Sequence, residues 1–395
     1  MAGHKRQDIE DRDLGGFKFF KKIAKLLQRL HKAGCGRDRA HNRELHMDQY
    51  MVLLLLYMFN PICVSLRALQ QASTLKKVQR VLGVPRSSLG SLSEAARVFD
   101  SELLKEIVEM LAMELKPMAH DSRLDDVGAI LTVVDGTLIP ALSKMAWALW
   151  QDEHNAVKAH VQFEVLKGVP VAAQLTEGNG NEKDVLAENL LPGRLYVLDR
   201  GYAMYLLMQK IIDAESSFVV RIRDDSVFDV LEERELSQEA LDAGIVRDAV
   251  VHLGGPKSGK ALRQPVRIVE VACSPHLKAH KNGRGGPQQG ETILIATDRL
   301  DLPPEVISLI YQHRWAVETF FRTFKHLLGC RHLLSTSPNG IELQTYAAIL
   351  ACLLIALYTG RRPTQRTYEM FCYYSTGWAD LDELQSHIEK LQMQP

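Results

Sequence analysis

The six cysteines of this chain, Cys35, Cys63, Cys273, Cys330, Cys352 and Cys372, include no Cys-x-x-Cys pair. Scatter of this kind gives no disulfide framework, and a reducing, cytoplasmic interior is the expected setting. Long apolar runs are missing too. Residues 50–59 are stopped by Asn60-Pro61, and residues 346–358 form a run of only 13. Both fall short of the roughly 18–20 residues that cross a bilayer, so each is expected to be a buried helix and no membrane partner is expected. The first ten residues carry His4, Lys5, Arg6, Asp8 and Glu10 around no apolar core, and no secretory leader is expected there. A phosphate loop is absent: residues 254–260, Gly-Gly-Pro-Lys-Ser-Gly-Lys, lack the Gly-x4-Gly-Lys-Ser/Thr order and a following helix. Paired zinc spacing is absent as well. Cys273-x2-His276-x3-His280, with His252 upstream, offers one thiol in a Gly/Lys-rich loop, and His31, Cys35, His41 and His46 are irregularly spaced.

An excess of either charge is also lacking, with 48 Lys+Arg against 48 Asp+Glu. Taken alone, that argues against a nucleic-acid binder. The distribution argues the other way: residues 1–93 hold 17 Lys+Arg and 7 Asp+Glu, the remainder 31 and 41. A basic module joined to an acid-rich body suits a protein that meets phosphates at one end and holds divalent cations in the other. With 395 residues, 46% of them hydrophobic, the chain has material for a large core and the length of two or three structural units.

The basic end is helical by pattern. Phe19, Phe20, Ile23, Leu26, Leu27 and Leu30 recur at helical spacing over residues 17–32, with Lys21, Lys22, Lys25, Arg29 and Lys32 interleaved. Helices are expected over 48–59, 65–72 and 75–82, followed by a turn at Gly83 and a new start at Ser88. The pair around Gly83 fits a helix-turn-helix, with Lys76, Lys77 and Arg80 as candidate DNA contacts. Glycine-punctuated helix pairs also occur in many proteins that bind no DNA. A helix over 94–115 closes the region.

After Arg123 the period shifts to that of strands. Residues 130–135 are β-branched and end in Asp135. Residues 157–166 and 171–175 read as a hairpin about Lys167-Gly-Val-Pro, and a helix is expected over 183–191. Residues 195–199 end in Asp199, a helix runs on to Ile212, and 218–222 is a strand. Strands near 227–231, 250–253, 265–273 and 291–296 then suggest a β-rich insertion. Three strands, then helix, strand, helix and strand, describe a mixed sheet with helices on its faces.

Asp135 and Asp199 each end a strand, where side chains from neighbouring strands converge. An acid in that place is often only a turn residue or helix cap. Asp224, Asp225 and Asp298 follow strands in the same way, and pattern alone leaves all five open. Residues 311–325 concentrate further charge. Read as one helix at about 100° per residue, Tyr311, Arg314, Glu318, Arg322 and Lys325 fall within roughly 80° of arc. One carboxylate among three cations and a phenol is the composition of a metal site facing phosphates, and equally that of a solvated surface.

Tyr311-x2-Arg314-x3-Glu318-x6-Lys325 resembles, in residue type and spacing, the Y-(2)-R-(3)-E-(6)-K signature of the DDE transposases of bacterial insertion sequences, the group called insertion-sequence family four. Val134-Asp135-Gly136-Thr137 resembles that family's first catalytic acid, and Val197-Leu198-Asp199-Arg200-Gly201-Tyr202 its second. Lys158-x-His160-x2-Phe163, followed by Lys167-Gly-Val-Pro, is similar to its second-to-third strand hairpin. The 118 residues between Asp199 and Glu318 match its β-rich insertion. The resemblance covers residues 125–335; the basic N-terminus agrees in character only.

The resemblance implies an RNase H-like α/β fold: a mixed sheet with flanking helices, interrupted by a β-rich insertion and preceded by an all-helical domain. The divisions expected are a DNA-binding domain over 1–122, catalytic core over 123–223 and 298–360, the insertion over 224–297 and a tail over 361–395. Asp135, Asp199 and Glu318 would be catalytic and hold Mg²⁺ or Mn²⁺, since oxygen-only ligands favour those ions. Tyr311, Arg314 and Lys325 would hold phosphates, with Arg322 a further contact argued from the stripe alone. The implied activity is cut-and-paste transposition of double-stranded DNA by a dimer. Two rivals remain: a metal-dependent nuclease on the same fold, and a DNA-binding derivative without catalysis.

Overall fold

A computed structural model describes residues 20–33, 35–38, 43–118, 121–140, 145, 149–151, 154–254, 262–272, 291–329 and 333–393. Its first helices are α1 (Phe20–Leu27), α2 (Leu30–Ala33), α3 (Met47–Phe59), α4 (Leu66–Ser73), α5 (Lys76–Leu82), α6 (Leu89–Val98) and α7 (Leu103–Glu114). Serines start two of them. Ser65 accepts the Ala68 N–H and Ser88 the Ser91 N–H, each relieving a helix N-terminus of an unpaired donor. Gly83 ends α5 at φ +66°, a left-handed conformation that glycine adopts without steric cost. The single helix expected over 94–115 is instead two. Phe99 turns extended and is fully buried, Asp100 accepts the Glu102 N–H, and Asn339 donates to the carbonyls of Ala96 and Phe99 at 2.9 and 2.8 Å. A side chain distant in sequence thus satisfies carbonyls left unpaired at the end of α6.

The strand-bearing region contains β1 (Ile130–Pro140), β2 (Leu149–Gln151), β3 (His154–Glu164), β4 (Val169–Glu177), α8 (Glu182–Glu188), β5 (Arg194–Leu198), α9 (Tyr205–Asp213) and β6 (Ser217–Arg221). It continues with β7 (Phe228–Glu233), α10 (Gln238–Asp242), β8 (Ile245–Leu253), β9 (Val266–Ala272) and β10 (Thr292–Thr297). The ten strands among the described residues join one mixed sheet in the order β2-β3-β1-β5-β6-β10-β9-β8-β7, with β4 also on β3. β1, β5 and β6 run parallel, and α9 supplies the crossover that parallel β5 and β6 require. β3 is antiparallel to both β1 and β4, closing a hairpin through Gly168 at φ +62°. The strands of residues 224–297 extend this sheet, because β10 pairs with β6.

Alternation along the central strands sorts their residues to two faces. Val133, Val197 and Val219 belong to the larger core with the N-terminal helices. Val134, Tyr196, Leu198 and Val220 pack with α8 and α9 on the other side. The larger core is closed by α11 (Pro304–Gln312), α12 (Trp315–Gly329), α13 (Pro338–Thr359), α14 (Gln365–Thr376) and α15 (Leu381–Gln392).

The apolar run expected over 346–358 belongs to a longer helix: α13 has 22 residues. By length and composition it could cross a membrane, but 89% of its most apolar stretch is buried inside the protein, as in a core helix. Its extra turns contain polar residues. Gln344 accepts the Leu334 N–H at 2.9 Å, and the Thr345 hydroxyl donates to the Ile341 carbonyl. The tail packs back on α3, where the Tyr368 hydroxyl donates to the Met58 carbonyl.

Candidate active site

Strand register sets the first two acids. β1 and β5 pair Ile130 with Arg194 and Val133 with Val197. Continued two places, that register brings Asp135 level with Asp199, on the face of Val133 and Val197. Each carboxylate is oriented by nearby backbone: the Gly136 N–H donates to Asp135 at 2.8 Å, and the Gly201 N–H donates to Asp199 at 2.7 Å. Burial pushes the Asp135 carboxyl up to about 7. The Gly136 N–H and Arg314 oppose that rise, whereas the charges of Asp199 and Glu182 add to it.

Residues 311–325 do not form the one continuous helix expected. α11 ends at Gln312 and α12 starts at Trp315. Between them the Arg314 N–H donates to the Tyr311 carbonyl and the Ala316 N–H to the His313 carbonyl, bonds that reach back three residues and tighten the turn. The two helices pack on different parts of the sheet. α11 lies against β6, β8 and β9, whereas α12 lies against β1 and α13. Val317, Phe320, Phe321 and Phe324 are the buried side of α12, and the Phe320 ring meets that of Phe163 on β3 at 5.1 Å.

The break leaves part of the charged stripe together. Arg314 donates to Glu318 at 2.9 Å and lies over the Trp315 ring, 4.8 Å from its centroid. The arginine side chain is only 14% exposed, against 37% for Glu318, so a largely desolvated guanidinium covers a more open carboxylate. Arg314 also acts electrostatically on Asp135 and Tyr311. Burial raises the Tyr311 hydroxyl pKa, opposed by Arg314 and by Arg221 at the end of β6. Arg322 is exposed further along α12; the Lys325 side chain lies outside the described residues. Lys76, Lys77 and Arg80 are exposed on α5, a separate element packed against α4.

Sequence reasoning missed Glu182, the first residue of α8. Its carboxylate pairs with Lys158 at 2.5 Å and lies over Gly136, where a Cβ would meet Glu182 Oε1 at 2.5 Å and Lys158 Cε at 3.0 Å. The one sequence signal was an acid directly after the Gly178-Asn-Gly-Asn loop, at a position usually explained by helix capping. Tyr202 is buried beside Glu182, Asp135 and Asp199, and its hydroxyl makes no hydrogen bond of ordinary geometry.

Two of the competing acids are engaged elsewhere, and Asp224 is exposed. Asp298 accepts the Phe218 N–H at 2.8 Å, and Asp225 pairs with Arg223 on the exposed surface. His31 bonds Asp48 at 3.0 Å and stacks on His46, while His41, Cys273, His276, His280 and residues 255–260 lie outside the described residues. Among the described residues no group of three or more His, Cys, Asp or Glu side chains is gathered tightly enough to hold a metal ion. The donor set nevertheless fits a divalent cation. Asp135 and Asp199 are level oxygen donors whose mutual repulsion a cation would relieve, and Glu318 is engaged by Arg314 nearby.

The family described as Transposase DDE domain matches residues 128–354. A protein of Sinorhizobium fredii named as transposase y4zB is 26% identical over 231 residues, 58% of this chain and 61% of that protein. One of Geobacillus stearothermophilus, named as the transposase of insertion sequence element IS5377, is 24% identical over 275 residues, 69% of this chain and 68% of that protein. Among solved structures, a cryo-EM piggyBac transposase synaptic complex with hairpin DNA aligns with 99% of this chain and 84% of its own. Its identity is 11% and its TM-score 0.43.

Proposed function

The chain belongs to the transposase DDE-domain family, and from that premise we propose that it is a DNA transposase of the Y-(2)-R-(3)-E-(6)-K group with an RNase H-like core. The proposed reaction cuts transposon ends and joins the freed 3′-hydroxyl to target DNA by in-line phosphoryl transfer. One observation carries the reading: Asp135 on β1 and Asp199 directly after β5 stand at the same end of two adjacent parallel strands, and α12, which carries Glu318, packs on β1. The order β4-β3-β1-β5-β6, with β3 alone running against the other four, supports the fold.

Asp135, Asp199 and Glu318 would hold Mg²⁺ or Mn²⁺. Two such ions, when bound, supply Lewis-acid activation of the attacking oxygen and charge to meet the leaving one. Glu318, now bonded to Arg314, would serve as a ligand together with the two aspartates, and Arg314 would offer its planar fork to a phosphate, supported by the Trp315 ring. Tyr311 and Lys325 hold the neighbouring phosphates. Residues 1–122 would bind DNA with Lys76, Lys77 and Arg80, residues 123–223 and 298–360 would form the core, and 224–297 the insertion. The tail over 361–395 would support the helical layer. Bringing two ends together requires a dimer on double-stranded DNA, in the cytoplasm.

The test is a strand-transfer assay with labelled, pre-cleaved transposon ends, plasmid target and Mg²⁺ or Mn²⁺. The intact protein should join ends, and Glu318→Gln or chelation by EDTA should abolish joining. Equal joining by Glu318→Gln overturns the site assignment. Cleavage without joining would identify a nuclease instead.

A further inference from the structure

The ion pair between Lys158 and Glu182 has no part in the reaction as set out above, yet it occupies a constrained place. Lys158 stands on β3 opposite Leu138 of β1, and His160 stands opposite Gly136. The lysine stem and the Glu182 carboxylate together fill the side-chain space that Gly136 leaves empty. Any larger residue at 136 would drive the carboxylate away. Both side chains are mostly shielded from solvent, at 19% and 26% exposure, so the pair is screened less than a surface bridge. Glu182 opens α8, whose Leu186 packs with Val134 in the smaller core, and Asn181 caps that helix by accepting the Lys183 N–H. The pair therefore ties β3 and α8 together across β1, one residue beyond Asp135.

We propose that Lys158 and Glu182 are positioning residues for Asp135, clamping the backbone at Gly136 so that the Asp135 carboxylate stays level with Asp199. The strand's alternation is the reason for the arrangement. Asp135 and Gly136 face opposite sides of the sheet, so a clamp on the Gly136 side sets the backbone without entering the space in front of the two aspartates. A purely packing role would need neither the charges nor their proximity to the carboxylate pair. The inference rests on the proposed assignment of Asp135 as a catalytic ligand.

Four measurements on the whole chain test it: joining rate with pre-cleaved ends, Mn²⁺ binding by electron paramagnetic resonance, affinity for a labelled DNA end, and Tm. Glu182→Gln and Lys158→Met should each slow joining at least tenfold and weaken Mn²⁺ binding by a similar factor, with DNA affinity and Tm unchanged. The charge-swapped double variant, Lys158→Glu with Glu182→Lys, should recover much of both losses. Slower joining with unaltered Mn²⁺ binding, or a double variant no better than the singles, overturns the proposal. If the single variants fail to fold, Gly136→Ala serves in their place and should give the same joint loss; normal Mn²⁺ binding and joining there would overturn it. Asp135→Asn is the separate control: if it joins ends normally, the catalytic reading has failed.

Discussion

Asp135 and Asp199 are carried by strands, whereas Tyr311, Arg314 and Glu318 are carried by helices, and the two sets differ in how far local pattern controls them. A strand has a period of two and a pairing register, so two acids at the ends of adjacent parallel strands have little freedom to miss each other. The helical set depends on a phase that accumulates along the chain. One tightened turn at His313–Arg314 puts Tyr311 on a different helix from Glu318, and Arg314 between them still acts on both. Strand-borne groups are accordingly placed by the sheet, and helix-borne groups by what each helix packs on.

The comparison can be broken most directly at the strands. Asp199→Asn should reduce strand joining on the order of 10⁴-fold, as removal of an essential catalytic group does, with DNA-end binding retained. A modest loss would mean that the strand-borne pair is not the invariant part of the site. On the helical side, Phe320→Ala removes the ring that seats α12 on Phe163. It should cost about 3–5 kcal/mol in urea unfolding, and any active remainder should show weakened Mn²⁺ binding because Glu318 loses its support.

Arg314→Lys keeps the charge and gives up the planar fork and much of the stacking on Trp315. Joining should fall on the order of tenfold, about 1.4 kcal/mol, measured at saturating DNA. Lys76→Gln, on exposed α5, should leave joining at saturating DNA unchanged. It should make the dependence of DNA affinity on salt shallower by about 0.9 in the log–log slope. Arg322→Ala should change least, within about threefold in joining, since the residue is exposed and its place on the stripe is the whole argument for it. A large effect there would show that the helical stripe extends beyond the break.

What the sequence determined alone was local and periodic. The apolar spacing located α3, α4 and α5, the strands of the hairpin and the acid-ended runs before Asp135 and Asp199, because each pattern fits within a few residues. The sequence motif also singled out Glu318 and its neighbouring cations without locating them in space. Helix ends set by distant partners were decided by tertiary structure. Asn339 terminates α6 through two carbonyls, and the differing supports of α11 and α12 divide a run that reads as one helix. The continuity of the sheet through β10 and β6 was likewise invisible, as was the buried Arg267–Asp248 pair at 2.6 Å. So was Glu182, which lies 46 positions from Gly136 in the chain and directly over it in the fold. The physical reason is shared: short-range geometry repeats along a chain and can be read from it, whereas pairing between distant groups depends on which surfaces the folded core brings together.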